Sequence, residues 1–124
     1  MFGKLRVGYN WSVIEVDYNL GKYLRNLLYL TSNKTLKLQQ PSNQEHITLI
    51  SPYETNNYNK SVLENYDGLR VEFEISTELF TNGNAYWVTI ISNRAEKIRE
   101  SVGLPKQSQI PLHFCIGYIK EGKL

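Results

Sequence analysis

The chain has 124 residues, 41% hydrophobic and 21% charged, which is typical of one folded domain over residues 1–124 rather than of a disordered chain. The net charge of +2 does not indicate a long basic groove for nucleic acid, although it permits a phosphate-bearing ligand. A single cysteine excludes an intrachain disulfide. With no apolar run of about 20 residues and no signal-like N-terminus, these features predict a cytoplasmic protein without a membrane partner.

The sequence begins with a predicted strand–helix unit. Residues 3–10 alternate apolar and polar side chains as a strand does, and residues 13–16 extend this strand or pair with it. Over residues 18–30, leucines recur at helical spacing, which predicts an amphipathic helix. Asp17 or Asn19 can cap this helix by accepting a hydrogen bond from an exposed backbone N–H.

The middle of the sequence alternates between polar loops and short apolar strands. Residues 31–45 are polar and predict a loop, whereas residues 45–50 are apolar and β-branched and predict a strand. The polar segment 52–60 predicts a surface loop, with a helical turn after it at 60–66. Residues 69–75 alternate cleanly, as a half-buried strand should.

The last part of the sequence predicts a hairpin, a helix and a strand. Residues 81–84 form a turn rich in Asn and Gly, and residues 86–91 form the returning strand of the hairpin. Ser92 or Asn93 caps a helix that runs to about residue 101. The final strand is predicted over residues 110–119.

The two halves of the chain echo each other in this order of elements. In each half, a helix is followed by a loop that contains proline and then by an apolar strand that carries one histidine. This arrangement predicts an α+β domain with two similar lobes that face each other across a groove.

The two histidines of the sequence lie in matched contexts. His46 is followed by an apolar residue and then by Thr48, and His113 is followed by an apolar residue and then by Cys115. Because side chains two apart in a strand point to the same face, each histidine should share a face with the small polar residue that follows it. Gly117 continues the face of His113 and Cys115, and we expect it to leave room for a ligand beside the backbone.

Two histidines on either side of a phosphate can divide acid–base work between them. One imidazole takes the proton of the attacking oxygen and the other protonates the leaving oxygen, and such help typically contributes about 10²–10⁴-fold. The small polar residue beside each histidine can hydrogen-bond a nonbridging phosphate oxygen. We predict no metal and no cofactor, because two histidines without a third ligand at suitable spacing make a poor zinc site.

These motifs resemble a known superfamily. His46-Ile47-Thr48-Leu49 matches the H-x-[T/S]-x signature of the 2H phosphoesterases, and His113-Phe114-Cys115-Ile116 resembles its second copy. The wider chain is similar, over about residues 36–119, to the small 2H proteins described as Swiss Army Knife and RNA-repair-like. Further segments of likeness are Leu36-Lys37-Leu38, Thr81-Asn82-Gly83 through Tyr86-Trp87, and Ile98 to Pro105.

The resemblance implies a fold and an activity. It implies a two-lobed 2H phosphoesterase-like fold, with antiparallel sheets around a central cleft that both motifs line, and helices outside. It implies a hydrolase, a phosphodiesterase for a nucleotide, cyclic oligonucleotide or RNA end, acting at 2′,3′-cyclic phosphates, 2′–5′ linkages or related diesters. Phage members of the superfamily destroy cyclic-oligonucleotide immune signals, so an anti-defence role is one expectation. No obligate protein partner is implied.

The second motif departs from the superfamily at Cys115, where threonine or serine is usual. A thiol is a weaker hydrogen-bond donor than a hydroxyl, which puts full activity in doubt. Cys115 as a nucleophile beside His113 is a less favoured alternative, since no orienting partner is evident. We expect Cys115 to face the phosphate in place of threonine.

Several other residues are candidates for substrate binding. Tyr86 or Trp87 can stack on a nucleobase, and because neighbours in a strand face opposite sides, at most one of them should line the cleft. Tyr118 and Tyr53 are weaker aromatic candidates, the latter in a predicted loop. Lys37 can meet phosphate, although a solvated charge is its default interpretation.

Two other functions remain open at this point. The chain could bind a nucleotide or RNA end without turning it over, with Cys115 marking a decayed site. It could also be an interaction module in which each histidine is structural, since a lone histidine on an apolar strand is more often structural than catalytic.

Overall fold

The computed structural model describes residues 1–41, 45–54 and 57–119. Ser42 and Asn43 of the first predicted loop, and part of the predicted loop at 52–60, lie outside the described residues. The elements are β1 (Phe2–Val7), β2 (Ser12–Glu15), α1 (Tyr18–Thr31), β3 (Leu38–Gln39), β4 (His46–Ile50), α2 (Lys60–Glu64), β5 (Arg70–Glu72), β6 (Glu74–Thr81), β7 (Ala85–Ile91), α3 (Asn93–Ser101) and β8 (His113–Ile119).

Local sequence signals account for the starts of the two longer helices. The Asp17 carboxylate accepts a hydrogen bond from the backbone N–H of Asn19 at 2.8 Å and caps α1. The Ser92 hydroxyl accepts one from the N–H of Ala95 at 3.1 Å and caps α3. Gly103, at φ +92°, stands just beyond the end of α3, in the left-handed conformation that glycine adopts without steric cost.

One antiparallel sheet contains all eight strands, so the α+β class is confirmed. Its order is β5-β1-β2-β4-β8-β7-β6, and β3 pairs with the far end of β8. The end strands β5 and β6 are separated in sequence by Phe73 alone, so the two ends of the sheet lie close together and the sheet must curl. Phe73 is buried, and its N–H donates to the carbonyl of Met1 at 2.9 Å.

Each half of the chain supplies three neighbouring strands to this sheet. Strands β1, β2 and β4 come from the first half and β6, β7 and β8 from the second, and the halves meet where β4 pairs with β8. The predicted echo of the halves is therefore present in the topology.

The core lies on one face of the sheet. Strand registers place five buried side chains in a row across β1, β2, β4, β8 and β7: Leu5, Ile14, Ile47, Phe114 and Val88. Leucines of α1 pack against this core, as do buried residues of α3. Burial of such apolar side chains contributes roughly 1.5–3 kcal/mol each.

Several predicted boundaries differ from the structure: the strand predicted over residues 3–10 ends at Val7, and the strand predicted over residues 110–119 begins at His113. The sequence predicts a loop over residues 31–45, but Leu38–Gln39 form the short strand β3, because the edge of β8 offers backbone partners that the sequence does not reveal. The strand predicted over 69–75 continues through β6 to Thr81 after Phe73, where the chain leaves β1 and pairs with β7 instead. Within the described ranges, no helix combines the length and apolar character needed to cross a bilayer.

Candidate active site

The face of the sheet opposite the core, here called the open face, carries both histidines. In the antiparallel pair of β4 and β8, Ile47 stands opposite Phe114, so His46 stands opposite Cys115 and Thr48 opposite His113. The strand residues alternate in burial: Ile47 and Phe114 are fully buried, and the four residues around them are half-buried.

The register makes the two histidines diagonal neighbours. Diagonal residues of an antiparallel pair lie about 7–8 Å apart, with somewhat less between their Cβ atoms. Such a spacing leaves room for one phosphate between the imidazoles, with each ring within about 2.6–3.2 Å of a different oxygen. His46, Thr48, His113 and Cys115 therefore form one cluster on the open face.

The open face changes character from one edge to the other. One row of paired residues runs across it, in order Lys4, Glu15, His46, Cys115, Trp87 and Phe80. A second row runs Arg6, Val13, Thr48, His113 and Thr89. Charged side chains flank the histidines on the β1–β2 side, where Arg6 Nε lies 2.9 Å from Glu15 Oε1. Aromatic and hydroxyl side chains flank them on the β7–β6 side.

A groove of about 530 Å³ lies on the β6–β7–β8 side of the cluster. Its lining residues are Phe80, Ala85, Trp87, Thr89, Ile110, Pro111, His113, Cys115 and Tyr118. The rings of Phe80 and Trp87 stack with centroids 6.3 Å apart and planes 15° apart, and Trp87 meets the ring of His113 edge-on at 6.5 Å. No Lys, Arg, Asp or Glu side chain appears among the described lining residues, so the groove suits an uncharged aromatic group.

The backbone fixes the orientation of the His113 ring. Its Nδ1 lies 3.0 Å from the carbonyl oxygen of Pro111. A carbonyl can only accept, so Nδ1 carries the proton and donates it to this hydrogen bond. The second nitrogen, Nε2, is then the one left to accept or donate a hydrogen bond to a ligand.

The environment of Cys115 disfavours its ionisation. Burial raises the pKa of the Cys115 thiol, more than hydrogen bonds from Tyr118 and the backbone of Gly117 lower it. A thiol with a raised pKa is a poor nucleophile near neutral pH, which argues against covalent catalysis by Cys115. The pKa of the Tyr118 phenol is also raised, chiefly by the neighbouring Cys115.

The predicted binding residues do not all lie in this groove. Trp87 and Tyr118 line it, whereas Tyr86 stands opposite Gly117 outside its lining. Tyr53 is 89% exposed and borders a different groove of about 460 Å³, between residues 51–54 and 105–110. Lys37 is exposed, and its Nζ lies 5.9 Å from the centre of the Tyr29 ring.

The expected role of Gly117 is wrong. A Cβ atom at Gly117 would lie 2.4 Å from the carbonyl oxygen of Gln39 and 3.0 Å from Cβ of Leu38. The backbone of β3 therefore occupies the space that was expected to admit a ligand. Glycine is needed at this position because β3 packs closely against β8.

Two arginines that sequence reasoning missed, Arg99 fully buried and Arg25 mostly buried, hold the histidine strands. Arg25 of α1 donates from Nη1 to Glu45 Oε1 at 2.8 Å and to the carbonyl of Ile116 in β8 at 2.9 Å. Glu45 directly precedes His46 and is 2% exposed. A Cβ on Gly21 would collide with its carboxylate, so glycine lets α1 approach the start of β4.

Arg99 of α3 makes the corresponding contact with the other histidine strand, β4. It is 1% exposed and donates from Nη1 to the carbonyl of Leu49 in β4 at 2.9 Å, from Nε to Pro105, and to both carboxylate oxygens of Glu54. No sequence signal separates Arg25 or Arg99 from an ordinary solvated charge on a helix, because only tertiary packing makes them buried.

Phe80, Thr89 and Glu15 were also missed as neighbours of the histidines. Alternation within each strand was available as a signal, but the side-by-side order of the strands was not. Within residues 1–41, 45–54 and 57–119, no three His, Cys, Asp or Glu side chains are grouped as metal ligands would be.

A family model described as Swiss Army Knife, 2H phosphoesterase domain, matches residues 13–123, which run from the second residue of β2 past the end of β8 and therefore include both histidine strands. No curated protein and no solved structure matches the chain. A phosphoesterase family indicates hydrolysis of phosphodiesters as the general activity. The chain therefore belongs to the Swiss Army Knife family of 2H phosphoesterase domains.

Proposed function

We propose that the protein is a metal-independent phosphodiesterase that acts on a nucleotide or RNA-end phosphodiester with His46 and His113 as its acid–base pair. The observation that carries the proposal is their diagonal placement on the open face, across the junction of the two halves. In this proposal the two halves act as lobes on either side of the bound phosphate.

The chemistry needs one proton acceptor and one proton donor. One imidazole removes a proton from the attacking water or hydroxyl as its oxygen forms a new bond to phosphorus. The bond from phosphorus to the leaving oxygen breaks, and the other imidazole, protonated at the start, gives that oxygen its proton. With water as nucleophile, the products are a phosphate monoester and an alcohol. The two histidines exchange roles when the reaction runs in reverse.

The hydrogen bond at Nδ1 suits His113 for either role. When the ring is neutral, Nε2 has a lone pair and can act as a base; when the ring is protonated, Nε2–H can act as an acid. Pro111 keeps the ring in place in both states. Thr48 stands opposite His113 and can donate its hydroxyl to a nonbridging phosphate oxygen.

The surroundings of the histidines support a substrate with a nucleobase on one side. A phosphate at the histidines has the Phe80–Trp87 stack on its β7 side, where a base can stack for about 1–3 kcal/mol. On the β1 side it has Lys4 and Arg6, which suit a further phosphate. This combination supports 2′,3′-cyclic nucleotides, 2′–5′ oligonucleotides and cyclic oligonucleotides as the classes to test.

A product screen with histidine variants tests the proposal. The protein is incubated without metal against 2′,3′-cyclic AMP, a 2′–5′-linked adenosine dinucleotide, and cyclic di- and trinucleotides, and products are separated by chromatography. His46→Ala and His113→Ala should each lower turnover at least about 100-fold, because each removes one proton-transfer group. Thermal unfolding of each variant checks that the fold is intact. Undiminished turnover by the double variant would refute the mechanism.

Cys115 favours a second candidate, a nucleotide- or RNA-end-binding protein that has lost turnover. A thiol donates weakly to a phosphate oxygen, so binding can persist where catalysis has decayed. Calorimetry with the same nucleotides separates the two candidates, because tight binding without any product supports this one.

A further inference from the structure

Strand β8 contains a bulge within the candidate active site. Tyr86 stands opposite Gly117, but its neighbour Trp87 stands opposite Cys115, so Ile116 is an extra residue with no partner on β7. Such a bulge bends the strand and redirects the side chains beyond it. The alternation of apolar and polar residues in the sequence does not predict this bulge.

The bulge brings Tyr118 to the side of Cys115. In a regular strand, a residue three positions after Cys115 would point to the opposite face, toward the core. Tyr118 instead lines the same groove as His113 and Cys115, and it is 38% exposed. Arg25 donates to the carbonyl of Ile116, the extra residue, and so stabilises the bulge from the other edge of the strand.

The Tyr118 phenol and the Cys115 thiol border the same groove. The neighbouring Cys115 raises the pKa of the Tyr118 phenol, so the hydroxyl keeps its proton. A phenol that keeps its proton can donate a hydrogen bond to a ligand oxygen in this groove.

The two sides of the cluster differ in the hydrogen-bond donor that follows each histidine. Thr48, two residues after His46, offers a hydroxyl on the open face. The matching position after His113 offers only the thiol of Cys115. Tyr118 supplies an oxygen donor in the same groove as that position.

We propose that the Tyr118 hydroxyl is the phosphate-binding donor on the His113 side, taking the place that Thr48 holds on the His46 side. When a phosphodiester occupies the groove, the hydroxyl donates to a nonbridging oxygen of the phosphate. This inference rests on the proposed function, because the same phosphate must lie between His46 and His113.

A double-variant cycle at positions 118 and 115 tests it. With 2′,3′-cyclic AMP as the substrate, Tyr118→Phe should lower turnover by at least about tenfold, a modest part of what loss of one oxyanion donor typically costs. In a Cys115→Thr background, the same change should have an effect of less than about threefold, because the introduced threonine supplies the hydroxyl and the two changes are then not additive. Tyr66→Phe is the matched control, since Tyr66 packs half-buried against the core outside the groove.

The outcomes separate this inference from the proposed function. Equal losses from Tyr118→Phe in both backgrounds, or no loss in either, would overturn the role of Tyr118 while leaving the histidine mechanism standing. Should the parent protein turn over none of the probes, the proposed function fails, and binding of adenosine 2′-monophosphate by calorimetry gives the same comparison. Affinity that falls on Tyr118→Phe only in the Cys115 background supports the inference, and equal affinities overturn it.

Discussion

Strands β4 and β8 share a pattern of residues and a bulge, but they differ in the hydroxyl that they offer. β4 runs from His46 through Thr48 and bulges at Leu49, which has no partner on β2, and β8 runs from His113 through Cys115 and bulges at Ile116. The first strand offers a hydroxyl in its own motif. The second strand lacks that hydroxyl but brings Tyr118 into the groove, so equivalent groups can come from different positions in the two halves.

Each of the two strands is also held by an arginine from the helix of the other half. Arg25, on the helix of the first half, donates to the carbonyl of Ile116, three residues after His113. Arg99, on the helix of the second half, donates to the carbonyl of Leu49, three residues after His46. Each helix therefore fixes the histidine strand of the other half, and the spacing of the two imidazoles depends on both contacts.

Loss of the Arg99 side chain should lower the free energy of unfolding more than loss of the Arg25 side chain. Arg99 makes four hydrogen bonds and Arg25 makes two, with Nη2 of Arg25 unpaired in the part of the chain that the structure describes. Arg99→Met should lower the free energy of unfolding by about 3–5 kcal/mol, because it removes four hydrogen bonds of a buried side chain and leaves the mostly buried Glu54 carboxylate without its partner. We expect a smaller loss for Arg25→Met, which removes two hydrogen bonds of a less buried side chain, although it also leaves the Glu45 carboxylate without its partner.

Urea denaturation of the two variants measures this difference. Lys97→Met is the control, because Lys97 lies exposed on the same helix as Arg99 and should change the unfolding free energy by less than about 0.5 kcal/mol. A larger loss for Arg25→Met than for Arg99→Met would contradict the comparison.

The aromatic side of the open face should affect binding more than chemistry. Trp87→Ala removes the ring beside His113 and should raise KM about tenfold with a smaller change in kcat, since base stacking is worth about 1–3 kcal/mol. Steady-state kinetics with 2′,3′-cyclic AMP measures the two constants. Trp11→Ala is the control, because Trp11 lies in the connection between β1 and β2 and packs on Gly8. A fall in kcat alone would place Trp87 in the chemical step instead.

The smallest expected effect concerns the ionisation of the Cys115 thiol, which has no counterpart in the motif of His46. Thr48 does not ionise, whereas burial raises the pKa of the Cys115 thiol. The fold therefore favours the neutral thiol, and this contribution to stability is complete below the pKa of the unfolded thiol and is lost as the pH rises through the folded value. Alkylation of the native protein by iodoacetamide should accelerate at higher pH than alkylation in urea. The reverse order would show that the groove favours the thiolate.

The sequence was informative wherever a signal is local. Helix caps at Asp17 and Ser92, the turn at 81–84 and most strands follow from residues within a few positions of each other. The motif around His46 and its counterpart around His113 sufficed to name the superfamily, which the family match supports over residues 13–123. Their catalytic roles remain proposals.

Tertiary structure alone decided how these segments meet. The pairing of β4 with β8, the bulge at Ile116, the strand β3 against Gly117 and the burial of Arg25 and Arg99 all depend on contacts between residues far apart in sequence. The alternation of side chains determines which face each residue takes within its own strand, but it does not determine which strand pairs with it. Whether a charge is solvated or buried, and whether a tyrosine faces the core or a ligand, is settled only when strands and helices pack.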